Sequence, residues 1–123
     1  MVMALNALAN QYSRMKEFDK GFETLEEASA IAVKTNSPGR MATLKNTEYG
    51  LAIATGQADR ALNALLDALA LERKIGAESM IAGSLVDLSD SYLRQRDYER
   101  AASYAQQAIK AARRLQRGGS EAA

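Results

Sequence analysis

Few residues in this chain could do chemistry. Asp87 and Asp90 stand three residues apart, one turn of a helix, and Lys45 with Glu48 sets a cation and an anion at the same spacing. Paired carboxylates serve acid–base catalysis, or hold a divalent metal when further ligands converge on them. The 123 residues include no histidine and no cysteine. That removes the usual metal ligand and general base, thiol nucleophiles, zinc knuckles and disulfides together. Most hydrolytic chemistry is closed by this, so Asp87 and Asp90 read as a solvated helix face, and only a detected turnover would make the chain an enzyme. No catalytic, cofactor-binding or metal-binding residue is expected. Amide chemistry remains open. An asparagine side chain carries a donor pair and an acceptor in one plane, which can bond both the C=O and the N–H of an extended peptide.

The charged residues point to no polyanionic partner. Net charge is +1, and the basic run Lys110, Arg113, Arg114 and Arg117 has no aromatic residues interleaved for stacking on bases. At the end of a last helix these cations would favour the helix dipole, as Asp97 would at its start. No nucleic-acid partner is expected. Nor is a membrane, since no apolar run approaches the roughly 20 residues a span needs, and Met1 to Asn10 lacks the basic start and apolar stretch of a signal peptide. The expected compartment is the cytoplasm.

The elements that position these residues follow from a repeat. Gly21, Ala61 and Ala101 lie 40 residues apart, and so do Leu25, Leu65 and Ala105, then Ala28, Ala68 and Ala108. Such a period marks a solenoid whose units bury their apolar faces only against each other. Within each unit the apolar residues recur at three and four, as in Phe22, Leu25, Ala28 and Ile31 with Ala32, or Leu62, Leu65, Leu66 and Leu69, so they share helix faces. Six helices are predicted, over 2–16, 19–35, 38–55, 58–75, 77–96 and 98–116. Alanine, about a fifth of the chain, suits a helix-only fold and lets helices approach closely. Ser37 and Pro38 read as N-cap and first helical residue, and Gly56 and Gly76 as helix ends. One domain over 1–117 is expected, with repeats at about 1–36, 37–76 and 77–116 and a flexible tail over 118–123.

These residues resemble the tetratricopeptide repeat. Its first-helix pattern is matched by Leu5, Leu8, Ala9 and Tyr12, and by Leu85, Leu88, Ser89 and Tyr92; its second-helix pattern is matched by Gly21, Leu25 and Ala28 and by Ala61, Leu65 and Ala68, with Ala101, Ala105 and Ala108 weaker at the middle position. The resemblance covers nearly the whole chain and implies an all-α superhelix of three helix-turn-helix repeats. A period of 40, against the more usual 34, resembles the variant with lengthened helices found in bacterial signalling and scaffold proteins, such as those ending in a diguanylate cyclase domain of the GGDEF type, a histidine kinase or a DNA-binding domain. What it implies is a non-catalytic module that binds a protein or an extended peptide on the concave face lined by the first helix of each repeat. Carried onto this sequence, that face holds Asn6, Asn10 and Arg14, then Asn46 and Gly50, then Val86, Asp87, Asp90 and Arg94; the alternative is that these are merely solvated polar residues. The family subset that clamps a C-terminal carboxylate places lysine and arginine where this chain has Asn6, Thr47 and Asp87, keeping only Asn10, so that ligand is not expected.

The second repeat departs from the pattern. Lys45 and Glu48 fall where the other repeats have leucine, and a lone buried carboxylate costs several kcal/mol unless paired. Either Lys45 or an arginine such as Arg40 reaches Glu48, or the helix is turned so that Tyr49, Gly50 and Ile53 take the core sites. The ends carry a second expectation. The first helix starts late against the other repeats, as if excised from a longer protein, and no polar helix covers the last repeat. Leu5 and Leu8 at one end, with Ala105, Ile109 and Ala112 at the other, would pack on further repeats or on a second copy, making a homodimer.

Overall fold

The computed structural model describes residues 1–122, with side chains through Gly118. The chain forms six helices, α1 Val2–Arg14, α2 Phe18–Lys34, α3 Pro38–Ala54, α4 Ala58–Ile75, α5 Glu78–Arg94 and α6 Tyr98–Ala122, with no strand among the described residues. The fold is all-α, as the 40-residue spacing predicts.

Each turn repeats one backbone device at half that period. Lys16, Asn36, Gly56, Gly76 and Arg96, spaced by 20, all have positive φ, between 48° and 73°. Around each, two bonds close the preceding helix: Lys16 N–H donates to Ser13 C=O and Glu17 N–H to Tyr12 C=O, and the same pair recurs from Asn36 and Ser37, Gly56 and Gln57, Gly76 and Ala77, and Arg96 and Asp97. This is the Schellman arrangement, which satisfies otherwise orphaned carbonyls and reverses the chain in two or three residues. Gly56 and Gly76 therefore end helices as expected. Asp97 caps α6 through a 3.2 Å bond from the Arg100 N–H. Ser37 occupies the N-cap position before Pro38, but its hydroxyl makes no cap bond and lies 3.3 Å from that of Thr35.

The fold divides into two compact units, Met1–Leu71 and Glu72 onward. In the first, α1 packs on α2, α2 on α3, and α1 also touches α3. Val2, Leu25, Ala28, Ala32, Leu44 and Leu51 form its core, with Leu5, Phe18, Phe22, Ile31 and Met41 packed against them. Gly21 stands where the other repeats have alanine because Leu51 fills that space: a Cβ on Gly21 would lie 3.1 Å from Leu51 Cδ2 and 3.5 Å from the Ala9 carbonyl oxygen. In the second unit α5 and α6 form a hairpin. Its close crossing is marked by the Ser89 hydroxyl donating to the Ala101 carbonyl at 2.8 Å, and by Tyr92 stacked on Tyr104 with centroids 5.5 Å apart. Leu85 and Leu88 are buried here, as is Glu72, which accepts a 2.7 Å bond from the Ser84 hydroxyl.

Two expectations need correction. Helix α3 is not turned to bury Tyr49, Gly50 and Ile53, since Gly50 and Ile53 are exposed. Instead Leu44, Leu51 and Ala52 are buried, and Glu48 stays at the rim of the packed face, paired with Lys45 at 3.2 Å and with Arg60 at 2.9 Å. Lys45 thus reaches Glu48 as the pairing alternative expects, and the arginine that joins it is Arg60 of α4, not Arg40. Helix α6, moreover, does not stop at 116. Its backbone is helical through Ala122, so the stretch from Gly118 expected to be a flexible tail is helical that far, and Ala123 lies outside the described residues. No proline follows to end the helix, and two glycines cost only about 1 kcal/mol each against alanine. Lys110, Arg113, Arg114 and Arg117 consequently lie in the body of α6, whose last turn holds no basic residue, and the helix dipole does not account for them.

Candidate binding surface

In the first unit the side chains singled out for hydrogen bonding lie on α1 and α3. Asn6 is half-buried and its amide oxygen accepts a bond from the Thr47 hydroxyl, which joins the two first-position helices directly. Thr47 also reaches the Thr43 carbonyl at 3.3 Å, one turn back along α3. Asn46 is half-buried and engaged, while Asn10 and Arg14 are exposed on the following turns of α1. Gly50 is exposed, with nothing within 4 Å of the place a Cβ would occupy, so its backbone is open to approach. Beside them runs a charged network wider than the Lys45–Glu48 pair alone. Lys45 bridges Glu48 and Asp67, at 3.2 and 3.5 Å, while Arg60 bonds Glu48 and lies 4.1 Å from the centre of the Phe22 ring.

In the second unit the corresponding face is on α5. Asp87 is half-buried, and Val86, Asp90 and Arg94 are exposed. Burial raises the Asp87 carboxyl above its ordinary value of 3.8, the neighbouring Asp90 raises it further, and Arg94 opposes both. The charged residues thus form one spaced i, i+3 and i, i+4 set, able to offer both an acceptor and a cation to a ligand. Among the described residues no three carboxylates converge to hold a metal ion, and no helix is long and apolar enough to cross a membrane.

The residues expected at uncovered ends divide. Leu5 is taken up by the core of the first unit. Leu8 is 42% exposed and Ile109 51% exposed, Ala112 is exposed, and Ala105 is half-buried.

Residues 81–115, which hold most of α5 and α6, match the family model of the tetratricopeptide repeat. The fold extends that match along the chain. A signal transduction ATPase with numerous domains from Pyrococcus horikoshii, which carries a tetratricopeptide repeat sensor, superposes with a TM-score of 0.86 at 24% identity over 94% of this chain. Residues 81–115 thus carry a tetratricopeptide repeat, and the chain as a whole has the fold of such repeats. It spans only 18% of that ATPase. The tetratricopeptide repeat domain of Arabidopsis FLU superposes with a TM-score of 0.79 at 17% identity, over 94% of both chains. No curated protein matches by sequence. In tetratricopeptide repeat terms, Ala9 with Gly21 and Ser89 with Ala101 are the small pairs at which the two helices of a repeat cross.

Proposed function

We propose that the chain is a non-catalytic module that binds a protein or an extended peptide, serving as the sensory or scaffold segment of a larger bacterial regulatory protein in the cytoplasm. What supports this reading is polar groups on the first helices of the repeats: Asn6, Asn10, Asn46 and the open backbone of Gly50 on α1 and α3 in the first unit, and, in the second, Asp87, Asp90 and Arg94 on α5. Planar amides can bond an extended backbone without reading its side chains. The likeness to an ATPase whose repeats are a sensor supports the regulatory part of the reading, with the output domain lying elsewhere in the parent. The test is a selection of peptides from a displayed library on the intact chain, followed by titration of the winners against Asn10→Ala and Asn46→Ala. Each variant is expected to weaken binding about ten-fold, the worth of one or two hydrogen bonds. Selected peptides that bind both variants as well as the wild type would contradict the assignment.

A second reading rests on the exposure of Leu8 and Ile109, which makes the chain a self-associating module acting through its ends. Light scattering over a wide range of concentration tests it. The reading expects a dimer that Ile109→Asp returns to monomer, and a monomer at every concentration would remove it.

A further inference from the structure

We propose that the second unit carries a separate binding site for an acidic peptide segment of a protein partner, one whose carboxylates flank an aliphatic side chain. The site is a cleft of about 390 Å³ between the last turn of α4, the beginning of α5 and the middle of α6. Ile81, Leu85 and Ala111 supply its apolar lining, and Arg73, Lys110 and Arg114 its cations. Glu78 is the sole acid among the lining residues and stands 4.0 Å from Arg114, at the limit of an ion pair. Arg73 donates a 3.1 Å bond to the neutral amide of Gln107. Lys110 has no ion-pair partner among the described residues. Three cations against one carboxylate leave the cleft with an excess of two positive charges in a chain whose net charge is +1.

Arg73, in the last turn of α4, is favoured by that helix's dipole, but the cations of α6 are not accounted for in this way. Lys110 and Arg114 are four apart on one helix face, a spacing at which like charges repel, and they are too far from the end of α6 to be favoured by its dipole. An anion in the cleft removes the repulsion, and guanidinium forks suit carboxylates. The apolar lining asks for an aliphatic group between the anions. No aromatic side chain lines the cleft to stack on a base, which favours a peptide over a nucleotide. Nor is this the amide face again. At roughly 100° per residue, Ile81 and Leu85 project from nearly the opposite side of α5 to Asp87, Asp90 and Arg94, so both faces of the helix can be occupied together.

The test is fluorescence anisotropy with a labelled peptide of alternating glutamate and leucine, titrated with the whole chain at physiological ionic strength. Binding is expected to weaken at least ten-fold in Arg73→Glu and in Lys110→Glu, both at exposed positions where circular dichroism should show the helices unchanged. It should be unaffected by Lys34→Glu, an exposed charge reversal elsewhere, and by Asn10→Ala on the amide face. Replacing the peptide's leucines with serine should weaken it as well. The proposal is overturned by absence of binding, by binding that survives both cleft variants, by equal loss in Lys34→Glu, or by loss in Asn10→Ala. Displacement of the peptide by inorganic phosphate at equal concentration would also overturn it, because the cleft would then recognise a bare anion.

Discussion

Lys16 and Arg96 hold φ values of 60° and 62°, a conformation that costs an L-residue about 1 kcal/mol and glycine almost nothing. Lys16→Gly and Arg96→Gly should therefore each stabilise the chain by about 0.5 to 1 kcal/mol in urea melts, whereas Gly56→Ala should cost about 1 kcal/mol. Asp87 offers a test in pH. Its folded carboxyl is raised above 3.8, first by burial and then by Asp90, so the neutral form is the one folding favours. Its contribution is fully present below the unfolded value and is lost as pH rises through the raised one. Asp87→Asn should thus be more stable than the wild type at neutral pH, with the advantage vanishing as the pH falls below about 3.8; melts of both proteins between pH 3 and 8 would check this. At this scale the sequence was partly legible. Gly56, Gly76, Pro38 and Asp97 announced their turns because their backbone or side-chain chemistry is special, and Asn36 is of a type that tolerates the left-handed conformation, whereas Lys16 and Arg96 take it without advertising it, being held there by the two bonds of the turn.

Helix faces were legible where one repeat resembles the next and obscure where neighbours compensate each other. The buried faces of α2 and α5 follow from apolar spacing, whereas in α1 and α6 the apolar-spaced Leu8 and Ile109 are exposed. Helix α3 departs from it too, because it buries Leu44 and Leu51 beside the phase-matched Ala52 and leaves Glu48 at the rim, where Lys45 and Arg60 meet it. Arg60 lies twelve residues away on the next helix, so only packing reveals the pair. Gly21 and Leu51 show the same compensation between α2 and α3. Alanine at 21 gains helix propensity worth about 1 kcal/mol, but its methyl would press on a Leu51 side chain that is 1% exposed and has little room to move. Gly21→Ala is expected to lose about 1 kcal/mol net, and the loss should disappear in a Leu51→Ala background, itself about 2–5 kcal/mol less stable. A Gly21→Ala chain more stable than the wild type would show that Leu51 is not what keeps the position small.

For the whole molecule, the repeat spacing predicted the number and order of the helices, and the described structure and its likeness to tetratricopeptide repeat domains agree with it. What the repeat could not convey is where charge left over from folding gathers. The basic residues of α6 looked like terminal dipole partners only while the helix was taken to end at 116; with the helix extended to Ala122, two of them, Lys110 and Arg114, line a cleft instead. The proposed binding face carries no comparable signal, since polar residues on a helix look alike whether they meet a ligand or water. Its most direct test is an amide-resolved NMR titration of the isotope-labelled chain with a selected peptide. The account predicts that the signals of Asn6, Asn10, Asn46, Gly50, Asp87 and Asp90 move together and saturate with one affinity. Shifts confined to Leu8 and Ile109, or absent from all of α1, α3 and α5, would contradict it.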